Sequence, residues 1–235
     1  MDLDRRIEQQ DWIKIHDQLN ESGYALINTL LTGFECDRIV QHYDSNELYR
    51  KIINMERYRF GKGVYKYFSY PLPETIEEVR QKVYPHLAPV ANNWMRVLNN
   101  EKQFPESLTR LLEQCHTHQQ IRPTPLILKY ERGGYNTLHQ DLYGEVFFPM
   151  QLVLFLSEPG KDYEGGEFVM IEQRPRAQSK AIVLKPAKGD MLMFTTNFRP
   201  VRGSKGYYRV NMKHGVSEVT AGIRYTSGVI FHDAL

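Results

Sequence analysis

Hydrophobic positions along this chain change period part-way through. Up to about residue 120 they recur mostly at helical spacing. Residues 4–21 are polar apart from Ile7, Trp12, Ile15 and Leu19, which predicts one amphipathic helix closed by Gly23. Tyr24-Ala25-Leu26-Ile27 reads as a short strand, and Thr32 as the cap of a helix over 33–43. Pro73-Glu74-Thr75 opens a long helical stretch to about residue 99, with interruptions expected near Pro85 and Pro89. Residues 107–116 predict a further helix. From Pro125 onward the apolar runs become short and follow one another quickly: 126–130, 137–141, 150–156, 167–171, 181–184, 190–195, 208–215 and 224–231. Gly, Pro, Asn or Asp lies in or beside most of the connections. Eight short strands in this span predict a two-sheet jelly roll or related barrel. The expected organisation is therefore mainly β with N-terminal α. A helical extension over 1–120 packs on a barrel domain over 121–235.

Composition narrows the class without changing the fold. The chain has 235 residues, 41% apolar and 25% charged, which fits one globular domain with an extension. Its 15 tyrosines favour β structure. A net charge of +2 permits a polyanionic partner without demanding one. The N-terminus has no apolar run of the kind a signal peptide carries, and no run approaches the roughly 20 residues of a membrane span. The expectation is a cytoplasmic protein, with no membrane partner, whose Cys36 and Cys115 are free thiols.

The candidate chemistry sits in the β half. His139-Gln140-Asp141 falls on the second predicted strand, His214 on the seventh, 75 residues after His139, and Arg224 on the eighth. Alternate residues of a strand share a face, so His139 and Asp141 reach one point together. Two histidines and one carboxylate form a facial triad that suits Fe(II) and leaves coordination positions open. The guanidinium of Arg224 suits the far carboxylate of a dicarboxylic cosubstrate. A lone strand histidine is more often packed than ligating, and it is the whole constellation that carries the signal. Cys115-His116-Thr117-His118 looks like a metal cluster but sits at a predicted helix end, where histidine complements the dipole. His232-Asp233 reads as structural.

This constellation resembles the Fe(II)- and 2-oxoglutarate-dependent dioxygenases, over residues 125–232 most clearly. The resemblance implies a double-stranded β-helix, a cupin-like jelly roll, with iron held by His139, Asp141 and His214 and with Arg224 anchoring 2-oxoglutarate. Tyr130, nine residues before His139, matches a tyrosine that hydrogen-bonds the cosubstrate, and Thr226 is a weaker candidate for the same task. It also implies O2 as oxidant, with ascorbate as an optional auxiliary reductant. Succinate and CO2 leave, a C–H bond is hydroxylated, and no side chain acts as nucleophile or general base.

A bacterial subgroup described as oxygenases of damaged nucleic acid is similar in finer detail. The shared marks are His139-Gln140-Asp141-Leu142-Tyr143-Gly144-Glu145, Leu156-Ser157-Glu158-Pro159-Gly160, Glu172-Gln173-Arg174-Pro175-Arg176 and the closing Ile230-Phe231-His232-Asp233. Gly165-Gly166-Glu167-Phe168, a further mark, also resembles the prolyl-hydroxylase branch. Three basic segments bear on the choice. Residues 57–68 carry Arg57, Arg59, Lys62 and Lys66 among five aromatics, 174–180 carry Arg174, Arg176 and Lys180, and 196–214 carry five bases, all without an acid. The last two are expected near the barrel rim. Bases interleaved with aromatics suit an unstacked nucleotide. They also suit strands packed on the barrel with a solvated basic face. Arg174, Arg176, Tyr135 and Lys66 are the candidate substrate residues. The expected reaction is oxidative demethylation of an alkylated base in single-stranded or damaged nucleic acid. The alternatives are a residue hydroxylase of the prolyl type and a non-catalytic cupin-like binding module.

Overall fold

In a computed structural model that describes residues 2–141 and 144–235, two antiparallel sheets face each other under a layer of helices. Leu142 and Tyr143, part of the motif after Asp141, lie outside the described residues. The first helical segment is two helices rather than one: α1 (Leu3–Glu8) and α2 (Trp12–Ser22). Asp11 separates them. Its carboxylate accepts from the backbone N–H of Lys14 at 3.0 Å, capping α2, while the Trp12 indole N–H donates back to the Ile7 carbonyl. Gly23 closes α2 with φ +77°, where a Cβ would meet the Arg199 side chain.

The chain continues through β1 (Tyr24–Ile27), α3 (Gly33–Gln41), β2 (Tyr49–Asn54), β3 (Gly61–Lys62) and β4 (Val64–Phe68). A full capping box between Thr32 and Glu35 starts α3 as the sequence predicts. Next comes α4 (Glu74–Val97), which runs unbroken through both prolines. The expected interruption does not occur. Pro85 and Pro89 lie four residues apart on the exposed side of the helix, where water can satisfy a carbonyl deprived of its N–H. The opposite side buries eleven residues, Ile76, Val83 and Trp94 among them, and that burial dominates. α5 (Leu108–Thr117) follows, capped by Ser107.

The remaining strands are β5 (Leu126–Glu131), β6 (Tyr135–His139), β7 (Met150–Phe155), β8 (Tyr163–Gly165), β9 (Phe168–Gln173), β10 (Lys180–Leu184), β11 (Met191–Thr195), β12 (Phe198–Gly203), β13 (Gly206–Val216) and β14 (Val219–Ile230). The larger sheet runs β1-β11-β7-β14-β5-β4-β2, with β8 on β14. The smaller runs β10-β9-β13-β6-β3, with β12 on β13. All eight predicted strands are present. The first 120 residues are not only helical. They supply strands to both sheets, β1 pairing β11, β4 pairing β5 and β3 pairing β6. The main core lies between the helices and the larger sheet, and a smaller cluster around Phe168, Phe194 and Met212 fills the space between sheets. No helix among the described residues is long and apolar enough to cross a membrane.

Candidate metal centre

His139 and His214 are direct cross-strand partners on β6 and β13. The register alone therefore brings the two imidazoles together, with ring centroids 4.2 Å apart. Asp141 lies two residues past the end of β6, its N–H donating to the Thr196 carbonyl. Its Oδ1 is 3.5 Å from His139 Nε2, and its Oδ2 is 3.3 Å from His214 Nε2. Among the described residues, this is the group of His, Cys, Asp and Glu side chains arranged to hold a metal ion. The histidines near Cys115 are engaged elsewhere, His118 with the Gln114 carbonyl and His116 with Asp233.

Protonation is set by the surroundings. His139 Nδ1 lies 2.7 Å from the Thr137 carbonyl, which only accepts. The proton is therefore on Nδ1 and the Nε2 lone pair faces the centre. Burial, then the neighbouring His214, depresses the His139 pKa against the pull of Asp141, so the ring stays neutral. Burial works to raise the Asp141 pKa, yet its contacts with His214, His139 and Gln151 win and hold the carboxyl below its ordinary value. Two imidazoles and one carboxylate are the donor set that suits a divalent first-row ion.

The centre opens into a cavity of about 320 Å³ between the sheets. Its floor is the larger sheet, read row by row. Arg224 on β14 pairs with Tyr130 on β5. Thr226 pairs with Leu128, which pairs with Tyr65 on β4. Gly228 pairs with Leu126, which pairs with Tyr67. Arg224 is fully buried with three rings around its guanidinium carbon, those of Tyr130 and Phe155 at 5.6 Å and of Tyr163 at 5.8 Å. Among the described residues its Nε and Nη1 have no hydrogen-bond partner, and the Tyr130 hydroxyl, with the Asn136 side chain beside its oxygen, has no acceptor. Burial pushes that hydroxyl up to about 12 against the pull of the Arg224 charge, so it is a donor at neutral pH. A buried cation and a buried donor, both short of acceptors, fit a bound carboxylate. The Gly165-Gly166 turn explains itself here. Both residues have positive φ, and a Cβ on Gly166 would sit 2.9 Å from Arg224 Cδ, so glycine lets the turn close over the arginine.

The candidate substrate residues are not brought together. The Lys66 side chain turns away from the cavity. It is buried, donating to the Tyr43 carbonyl at 2.6 Å and to Asn46. The residues either side of it, Tyr65 and Tyr67, face inward instead, because strand side chains alternate. Tyr135 is exposed beside β3 and does not line the cavity. Arg174 lines a separate cleft with Arg199, Asn20 and Asn93 against α2 and α4. Both arginines contact Glu172, Arg199 at 2.5 Å in a buried ion pair. The basic segments at 174 and 199 are therefore partly neutralised and lie apart from the metal centre. Arg176 is an exposed turn residue with positive φ.

Sequence reasoning missed Tyr65, Tyr67 and Gln151 as wall residues. The Gln151 amide donates to Asp141 Oδ2 at 2.8 Å. Its signal was available as a lone amide in an otherwise apolar strand. Gln140, between the two candidate ligands, donates to the Asn197 and Met212 carbonyls and ties β6 to β13.

A family model described as "Oxygenase, catalysing oxidative methylation of damaged DNA" matches residues 63–234. The chain belongs to this oxygenase family. Two proteins from Mycobacterium tuberculosis, strains CDC 1551 / Oshkosh and ATCC 25618 / H37Rv, are 48% identical over 167 residues, 71% of the oxygenase and 72% of each relative. Both are named only as uncharacterized proteins. The fold is that of the 2-oxoglutarate- and Fe(II)-dependent superfamily, whose cofactors the donor set and the open carboxylate site fit. A Pseudomonas putida prolyl-4-hydroxylase superposes with TM-score 0.59 at 13% identity, covering 95% of the oxygenase and 99% of that chain. An oxidoreductase of the 2OG-Fe(II) oxygenase family from Burkholderia pseudomallei gives 0.55 at 14% identity, covering 96% and 93%. At these identities the likeness is one of fold. The oxygenase is thus an enzyme on the expected jelly roll, and the non-catalytic binding module falls away.

Proposed function

We propose that His139, Asp141 and His214 hold Fe(II), that Arg224, Tyr130 and Thr226 receive 2-oxoglutarate, and that the substrate is an N-alkylated base in single-stranded or damaged nucleic acid. When bound, metal and cosubstrate supply the oxidation: O2 is reduced, 2-oxoglutarate becomes succinate and CO2, and a nearby C–H becomes C–OH. The chain's own residues do the rest. Arg224 offers two unpartnered nitrogens, Nε and Nη1, to the distal carboxylate in a buried site, where such bonds are strong. Tyr130 adds a hydroxyl donor beside it. Hydroxylating a methyl carbon bound to nitrogen gives a product that loses formaldehyde, so the methyl group is removed.

The observation that carries the substrate reading is a set of aromatic rings that runs from the cavity wall to the surface. Tyr65 and Tyr67 stand edge-to-face at 5.5 Å inside, and Phe60 lines the same cavity. Phe60 in turn stacks on exposed Tyr58, with centroids 5.5 Å apart and planes 19° off parallel. Arg57, Arg59 and Lys62, all exposed, flank that pair. Flat rings with cations beside them suit bases and phosphates, each stacked base contributing roughly 1–3 kcal/mol. The family description names damaged DNA, in agreement with this reading.

The test is succinate release from 2-oxoglutarate with Fe(II) in air, alone and with methylated single-stranded DNA, methylated RNA or a peptide pool. Stimulation by methylated nucleic acid, with formaldehyde in step, is expected. Stimulation by peptide alone would overturn the substrate reading in favour of a residue hydroxylase. Replacing Arg57 and Arg59 by Glu should weaken nucleic-acid binding and flatten its salt dependence.

A further inference from the structure

Gln151 is out of place in its strand. β7 reads Met-Gln-Leu-Val-Leu-Phe, and the residues paired with Gln151 on either side are Phe194 and Ile230. Its side chain is buried, 6% exposed, and lines the cavity. Nε2 donates to Asp141 Oδ2 at 2.8 Å and lies 3.3 Å from His214 Nε2. A carboxylate only accepts, so Asp141 fixes which way round the amide sits. Oε1 is left buried with no partner.

A fold built only for stability would not select this arrangement. Burying an amide with its acceptor unmet is a net cost that Leu or Met at the same place would avoid. What the amide does accomplish is local to the three candidate ligands. It reaches Asp141, from the end of β6, and His214, from β13, while itself standing on the opposite sheet. Nε2 engages Oδ2, while Oδ1 lies on the side of His139.

We propose that Gln151 is a positioning residue: it fixes the Asp141 carboxylate in one orientation for metal binding and thereby sets the affinity of the centre. This rests on the reading that His139, Asp141 and His214 hold the ion. Partners one contact removed from a metal typically change affinity 10–100-fold when lost.

The experiment titrates the metal-free protein with Mn(II), following free Mn(II) by electron paramagnetic resonance, without cosubstrate or turnover. Wild type, Gln151→Met, Gln151→Leu and Asp141→Ala are compared, each with its metal-free thermal midpoint. The expected result is Mn(II) binding roughly 10–100-fold weaker in both Gln151 variants, with midpoints equal to or above wild type. Binding within twofold of wild type in Gln151→Met, while Asp141→Ala abolishes it, would overturn the role of Gln151 alone. Midpoints that fall together with affinity in both variants would make the residue structural and also overturn it. Equal binding by wild type and Asp141→Ala would instead overturn the metal reading beneath it.

Discussion

Two arginines are fully buried here, and they are buried in opposite ways. Arg80 on α4 has every nitrogen engaged. Nε donates to the Ile230 carbonyl, Nη1 to the Tyr70 hydroxyl, and Nη2 to the Phe231 carbonyl and to Asp233 at 2.9 Å. Arg224 on β14 has rings around it, two nitrogens without partners, and no carboxylate in ion-pair range among the described residues. Burying a guanidinium is costly unless it is paired. Arg80 meets that condition within the protein and reads as a structural pin that ties the C-terminal strand to the helices. Arg224 does not, and this is what supports its proposed role toward the cosubstrate. Hydrogen-bond satisfaction thus separates a scaffold residue from a candidate ligand-binding one where burial alone does not.

The sharpest way to break this contrast is to remove each cation in turn. Arg80→Met leaves Asp233 buried without its counter-charge and should lower unfolding stability by about 3–5 kcal/mol in urea melts. A loss as small as that of an average surface substitution would sink the pin. His232 supplies the next test, because it is an exception. It sits in the satisfied region, accepts from the Phe148 N–H at 3.1 Å through Nδ1, yet has a buried Nε2 without a partner. Burial, then the Arg80 charge, pulls its pKa down to about 4. The unfolded chain takes up that proton near pH 6.5 and the folded chain does not. Stability should therefore fall as pH drops from about 6.5 to about 4, by roughly 3 kcal/mol. Asp141 acts lower: its depressed carboxyl contributes stability above the ordinary carboxylate range, lost as pH falls below it. Urea midpoints across pH 4–7 for wild type and His232→Asn, which keeps an acceptor for Phe148, would separate the two. Parallel curves would remove His232 from the account.

Arg224→Met is the counterpart of the first substitution. Its effect on stability should be on the order of 1 kcal/mol or less, since lost ring contacts are offset by the removal of an unpaired buried charge. The 2-oxoglutarate requirement should rise roughly 10–100-fold, the equivalent of about 1.5–3 kcal/mol for charge-assisted hydrogen bonds. Isothermal titration with 2-oxoglutarate measures one quantity and thermal melting the other. A large stability loss with unchanged cosubstrate affinity would reverse the roles of the two arginines.

The β half of the molecule was legible in the chain because period two, turn residues and the His-x-Asp motif agree there. His139, Asp141, His214, Tyr130 and Arg224 come together as their strand positions require. The N-terminal part was read less well, for three physical reasons. Aspartate caps can split a polar helix, as Asp11 does. Prolines on a solvated helix face cost less than a pattern rule assumes when eleven side chains are buried opposite. And basic residues look alike in sequence whether free or paired: Lys66 and Arg199 are buried and engaged, whereas Arg57 and Arg59 are exposed. Tyr65 and Tyr67 face the cavity because a five-residue strand alternates around Lys66, and only the pairing of β4 with β5 reveals which face is inside.

Thr226 gives the finest test of the comparison. It is two residues beyond Arg224 on the same face of β14, buried, and lines the cavity. If satisfaction is the discriminator, a hydroxyl here adds to the cosubstrate site only in proportion to one neutral hydrogen bond, about 0.5–1.5 kcal/mol. Thr226→Val keeps the shape and the β-branch, so the strand should be undisturbed. The expected outcome is a 2-oxoglutarate affinity lower by a few-fold up to about 10-fold, with thermal stability equal to or above wild type. An unchanged affinity would leave Arg224 and Tyr130 as the anchors and return Thr226 to packing. A loss as large as that of Arg224→Met would mean that the cosubstrate is gripped from the middle of the floor, and that the unpartnered guanidinium serves another ligand.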